Sequence, residues 1–253
     1  MLPGMSFEER VVLITGGANG FGRATGARLA GLGAKVVLAD IEEETGREAA
    51  AEIGGEFVKC DVRDPETSVA AVDHAVATFG GLDYAFLNAG ISTGCGLVET
   101  FDLDLYRRAM QINLDGVVFG INAAVPAMRR RGGGSIVATA SLAGLTAVPF
   151  DPIYAANKHG VVGLVRSAGP VYALESVRIN AICPGFADTR IIGDFKASLE
   201  NEGIPIIEVD HVVDGIVDLM ASPDSGVCHF VQAGHEPQEF RFRNIPGPKT
   251  AEA

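Results

Sequence analysis

The sequence predicts an α/β fold: a doubly wound, mostly seven-stranded parallel sheet with helices on both faces. Three observations predict it. Short β-branched runs alternate with longer stretches of helical spacing, those runs are apolar throughout, and no shift in composition marks a second domain. Strand and helix in turn imply parallel crossovers. Strands apolar on both sides must be covered on both faces. The 253 residues, 47% of them hydrophobic, suffice for one large core, so residues 1–253 read as a single domain.

The elements follow in order. "VVLIT" from Val11 is the first strand. Gly16, Gly17, Gly20 and Gly22 make a turn, and helical sequence starts at Phe21. "KVVLA" is the second strand and runs into Asp40; "EFVKC" is the third. Pro65–Phe79 has helical spacing and leads to "DYAFLN", the fourth strand. Leu103–Met128 reads as helix, with Asp104 a candidate cap. "RRRGGGS" (Arg129–Ser135) is the exit turn into "SIVATA". Ile153–Glu175 is helical, although Pro170 removes a backbone bond and predicts a bend at Gly169–Pro170. "RINAICP" and "VCHFVQ" complete seven strands, and the tail from Ile245 reads as loose.

Composition narrows the partners. A formal charge of −12 disfavours nucleic acid and anionic membrane. No apolar run reaches the roughly 18 residues of a membrane span. The opening "MLPGMSFEER" lacks a basic region followed by an apolar stretch, so no secretory signal is expected. Cys60, Cys95, Cys183 and Cys228 are scattered, which reads as reduced thiols in a cytoplasmic protein. His229 and His235 near Cys228 match no zinc spacing, and no metal is expected. His159 is expected to point away from the catalytic face.

The glycine turn carries the first functional signal. Glycines allow positive φ and close backbone approach to a ligand. The helix start beyond them offers free N–H groups and a positive dipole end, which suits a pyrophosphate. Asp40 closes the next strand about 20 residues on, where a carboxylate holds the adenosine ribose hydroxyls. It would repel a 2′-phosphate, and no Lys or Arg flanks it in "LADIEEE". The expected cofactor is NAD. A P-loop is excluded, because no Gly-Lys-Ser or Gly-Lys-Thr follows.

The spacing "TGGANGFG" from Thr15 resembles the TGxxxGxG fingerprint of the short-chain dehydrogenase/reductase family, a Rossmann-type fold. "LNAG" at Leu87–Gly90 resembles its NNAG, with Leu87 in place of the first Asn. "INLDG" at Ile112–Gly116, Ser141, "YAANK" at Tyr154–Lys158 and "PGFADT" at Pro184–Thr189 follow in the family's order, up to about Ile191. The resemblance implies a catalytic set of Asn113, Ser141, Tyr154 and Lys158. It implies cofactor contacts from Gly16, Asn19, Gly20, Phe21, Gly22, Asp40, Ile41, Asp61, Val62, Asn88, Ala89, Gly90, Tyr154, Lys158, Pro184, Gly185, Phe186 and Thr189. Asp61 would accept from the adenine amino group, or else cap the helix before Pro65. Asn113 would hold a water that passes protons between Lys158 and solvent.

The residues suit that chemistry. An unperturbed phenol has a pKa near 10. Lys158 lies one helical turn past Tyr154, so both side chains share a face, and its ammonium favours phenolate. Ser141 would hydrogen-bond the substrate oxygen. The expected reaction interconverts a secondary alcohol and a ketone of fairly apolar character, lipid- or steroid-like, under a lid at about 190–208 that includes Phe195. Epimerisation or dehydration in the same fold, and a non-catalytic NAD(H) sensor, are the alternatives. By resemblance the partner is a second copy, as homodimer or homotetramer, although Gly169–Pro170 and the absence of the family's usual Asp-Gly-Gly ending bear on that geometry. The ending looks somewhat like the NAD-linked hydroxyprostaglandin dehydrogenase branch.

Overall fold

The computed structural model describes residues 7–193 and 196–243. Phe195 and the tail from Ile245 lie outside the described residues. The strands are β1 (Val11–Thr15), β2 (Lys35–Asp40), β3 (Glu56–Lys59), β4 (Tyr84–Leu87), β5 (Gly134–Thr139), β6 (Val177–Pro184), β7 (Cys228–Val231) and β8 (Gln238–Glu239). The helices are α1 (Gly20–Gly31), α2 (Glu43–Glu52), α3 (Pro65–Phe79), α4 (Leu103–Met110), α5 (Gly116–Arg131), α6 (Pro152–Ala173), α7 (Lys196–Asn201) and α8 (Val209–Ala221).

The sheet runs β3-β2-β1-β4-β5-β6-β7-β8. The first seven strands are parallel, and β8 adds a two-residue antiparallel edge on β7 that the seven-strand expectation did not include. Strand order reverses between β1 and β4. There the loops after the two strands diverge and leave a crevice at the C-terminal ends.

Alternate strand residues build two cores. Val11 and Leu13 of β1 join Val37, Ala85, Ile136 and Ile179 on the face covered by α3, α5 and α6. Val12 and Ile14 join Val36, Leu38, Phe86 and Val137 on the opposite face, with Leu29 of α1 and Ile216 of α8. This is the period-two pattern of a strand read on both sides.

Local signals explain the helix ends. Asp64 caps α3 by accepting from Glu66 N at 2.9 Å, with Pro65 as its first residue. Asp102, not Asp104, caps α4: its carboxylate accepts from Asp104 N and Leu105 N, both at 2.9 Å. The long helix expected over Leu103–Met128 divides into α4 and α5 around a π-turn, Gln111–Asp115.

Gly169–Pro170 does not end α6, which runs on to Ala173. The pair is a packing device. A Cβ on Gly169 would lie 2.3 Å from Gly226 N, and Ser225 Oγ donates to Gly169 O at 2.9 Å. The glycine brings the 222–227 loop against the helix, and this loop leads into β7. Among the described residues no helix is long and apolar enough to cross a membrane.

Gly169→Ala is expected to destabilise the fold by about 1–3 kcal/mol through overpacking. Gly31→Ala, at an α1 position with open space around it, is expected to stabilise by up to about 1 kcal/mol. Urea unfolding midpoints check both; equal midpoints for the two variants would contradict the packing role of Gly169.

Candidate active site

The crevice is a cleft of about 560 Å³. Gly16, Asn19, Gly20, Phe21, Asp40, Ile41, Asp61, Val62, Asn88, Ala89, Gly90 and Thr189 all line it. Gly22 lies beneath its floor: a Cβ there would sit 2.0 Å from Gly16 O, so only glycine permits this crossing. Gly16 and Gly20 have φ of 65° and 51°, which glycine adopts without strain. Thr189 leans over this turn, its methyl 3.6 Å from where a Cβ on Gly20 would stand. The cradle at the start of α1 therefore fits a pyrophosphate.

Asp40 braces the loops around it. Its Oδ2 accepts from Ala18 N and its Oδ1 from Glu42 N, each at 3.0 Å. The carboxylate is thus fixed at the cleft wall. Asp61 is neither a cap for α3 nor free: Arg63 Nε donates to both its oxygens, at 2.9 and 3.0 Å. The Arg63 hydrogen bonds hold the Asp61 carboxyl below its usual range. Sequence reasoning did not single out Arg63 or Arg108, which also line the cleft.

A thread of hydrogen bonds leads inward from the glycine turn. Asn88 N donates to Thr15 Oγ1 at 3.0 Å. Its Nδ2 donates to Thr15 O and Gly16 O, both at 3.2 Å. Thr139 Oγ1 donates to Asn88 Oδ1 at 3.2 Å, and Lys158 Nζ donates to Thr139 O at 2.9 Å. Leu87 takes no polar role. It is buried in β4, and a Cβ on Gly120 would lie 2.5 Å from its methyl.

The four expected catalytic residues meet beyond the inner end of the cleft. Asp151 caps α6 by accepting from Tyr154 N at 2.9 Å, which sets Tyr154 in the first turn. Lys158 Nζ lies 5.7 Å from the Tyr154 ring centroid, one turn on as expected. Ser141 Oγ accepts from Ala143 N at 3.1 Å and lies 3.4 Å from Pro184 O, which can accept its proton. Burial pushes the Tyr154 phenol up to about 12, against an opposing pull from the Ser141 hydroxyl. Burial pushes Lys158 down to about 8. Lys158 is 3% exposed, and among the described residues no anionic side chain forms an ion pair with it.

Asn113 sits in the π-turn, fully buried. Its Nδ2 donates to Ile91 O at 2.9 Å and its Oδ1 accepts from Ile91 N at 2.8 Å. The side chain is therefore tied at both ends to the backbone of Ile91, beyond β4. Gly90 joins it to the lysine: a Cβ there would stand 3.2 Å from Asn113 Oδ1 and 3.7 Å from Lys158 Nζ. His159 is exposed, with Nδ1 2.8 Å from Ala155 O. Among the described residues no three metal-ligating side chains cluster.

Pro184, Gly185 and Phe186 continue from β6 beside Ser141. The segment after them is fastened at both ends: Asp188 N donates to Ile207 O at 3.1 Å, and Ile207 N to Phe186 O at 2.8 Å. Arg190 and Ile191, just past Thr189, line the cleft.

Residues 10–200 match the short chain dehydrogenase family. Cyclohexanol dehydrogenase of Acinetobacter sp. (strain SE19) is 40% identical over 195 residues, which is 75% of this chain and 78% of that protein. The 2,5-dichloro-2,5-cyclohexadiene-1,4-diol dehydrogenase of Sphingobium indicum is 41% identical over 187 residues, covering 72% and 74%. The crystal structure of levodione reductase superposes with a TM-score of 0.83 at 32% identity, over 90% of this chain and 98% of that one. The glycine cradle, the buried lysine one turn past a tyrosine, and these matches together place the chain in the short-chain dehydrogenase family.

Proposed function

We propose that this enzyme interconverts a secondary alcohol and a ketone with NAD, using Tyr154 as general acid and base. The observation that carries the reading is Lys158. It is buried, tied to Thr139 O at 2.9 Å, and one turn from Tyr154. When bound, the nicotinamide accepts or returns the hydride. Tyr154 takes the hydroxyl proton of the alcohol, or gives its own to the ketone oxygen. Ser141 donates to that oxygen and steadies its developing charge. Lys158 supplies the positive charge that makes the phenol a better acid. Asn113 acts by fixing Ile91 and the strand end beside Lys158, and Asp40 holds the adenosine ribose and disfavours a 2′-phosphate.

Cyclohexanol and a cyclohexadiene-diol stand in the names of two relatives. We take a secondary alcohol on a six-membered carbocycle as the substrate class, more compact than the lipid- or steroid-like molecule expected from the sequence. The working unit is a homodimer or homotetramer, built on α5 and α6.

Wild-type protein is expected to oxidise cyclohexanol-type alcohols with NAD, and Tyr154→Phe to lose about 10²–10⁴-fold in kcat, far more than it loses in NADH affinity. Equal rates for the two proteins would overturn the mechanism. A phenol raised to about 12 stays protonated at neutral pH, so it is in the donating form for ketone reduction and must ionise for alcohol oxidation. Oxidation is therefore expected to climb with pH from 6 to 8, and reduction to stay level over that range. A pH profile in which oxidation falls from 6 to 8 would contradict this assignment. Steady-state kinetics with each cofactor tests Asp40: Asp40→Asn is expected to narrow the preference for NAD about tenfold or more, the size of one lost charge repulsion. NADP used as efficiently as NAD by the wild type would remove that role.

A further inference from the structure

The cleft is crossed by a contact that the reaction does not use. Arg190 Nη1 donates to both carboxylate oxygens of Glu42, each at 3.1 Å. The same carboxylate accepts from Asn19 Nδ2 at 3.1 Å. These residues come from three separate places: the glycine turn, the loop after β2, and the segment after β6. All three line the cleft. Arg190 follows Thr189, whose methyl rests against Gly20, so the ion pair joins two segments of the cleft lining near the start of α1.

We propose that Arg190 and Glu42 form a strap that retains the dinucleotide, setting how fast it leaves rather than how it reacts. The inference rests on the dinucleotide reading of this cleft. A ligand held by the N-terminus of α1 and by Asp40 would have Asn19, Glu42 and Arg190 along its path. Release then requires Arg190 to part from Glu42. The pair is exposed, 67% and 45% by side chain. Exposed ion pairs contribute little and are screened by salt, so the strap slows release modestly and yields to ionic strength. The same exposure makes it a contact that opens readily on each turnover.

Stopped-flow fluorescence of NADH release tests this. Arg190→Ala and Glu42→Gln are each expected to speed release about two- to fivefold, and the double variant no more than the faster single. Raising salt should speed release from the wild type and leave both variants nearly unmoved. Arg47→Ala serves as the control, since it breaks the neighbouring ion pair with Glu43 without reaching the cleft; its release rate should match the wild type. Release rates of both single variants within error of the wild type would overturn the strap. Failure of the wild type to bind NADH would overturn the cofactor reading beneath it.

Discussion

The side chain of Asn88 is the contact on which the site depends. It is the first residue past β4, the strand at which the sheet order reverses, and it reaches both ways. Toward the cofactor side it holds the carbonyls of Thr15 and Gly16. Toward the catalytic side it accepts from Thr139, whose carbonyl in turn receives Lys158. One amide thereby fixes the spacing between the loop that would carry a pyrophosphate and the ammonium that would tune a phenol. The position requires a group with two donors and an acceptor in one plane, which Asn supplies and Asp does not. Its partners are mostly backbone atoms at strand ends, so the register of β1, β4 and β5 is carried into the site.

Burial acts on the two ionisable groups of the site in opposite senses. Tyr154 is pushed up and Lys158 down, each toward its uncharged form. At neutral pH the pair is a phenol beside an ammonium. Lys158 keeps that charge with a carbonyl as its hydrogen-bond partner instead of a carboxylate. A paired carboxylate would hold the ammonium more firmly but would cancel its field at the phenol. The arrangement gives up stability to leave an ammonium without a paired carboxylate beside the phenol, where the proposed mechanism would move a proton.

Much of this was legible in the sequence, and the reasons are local. β1, the α3 span and the glycine turn announce themselves through apolar runs, helical spacing from Pro65, and residues that tolerate positive φ. The one-turn spacing of Tyr154 and Lys158 survives into the structure because α6 is regular there. What the sequence concealed depends on contacts between distant segments. Gly169–Pro170 reads only as a bend, and its packing role is hidden until Gly226 is brought against it. Asn113 reads as a polar helix residue given a water by resemblance alone, and its two bonds to the backbone of Ile91, 22 positions away, leave no local trace in the sequence. Asp61 reads as a cap or an adenine acceptor, and its guanidinium partner Arg63 lies two residues on in a loop with no periodicity to betray it. Glu42 and Arg190 stand 148 residues apart, and neither belongs to a motif.

The two hydrogen bonds joining residues 186–188 to Ile207 have an evolutionary consequence. They pinch the chain at the base of a loop between β6 and α8. The entropy of closing such a loop grows only slowly, by about 0.6 kcal/mol for each doubling of length. The closure term alone therefore opposes a longer loop there only weakly. A substrate lid on such a base would let selection try new shapes at little cost in closure entropy, and a single scaffold would diversify across many alcohols.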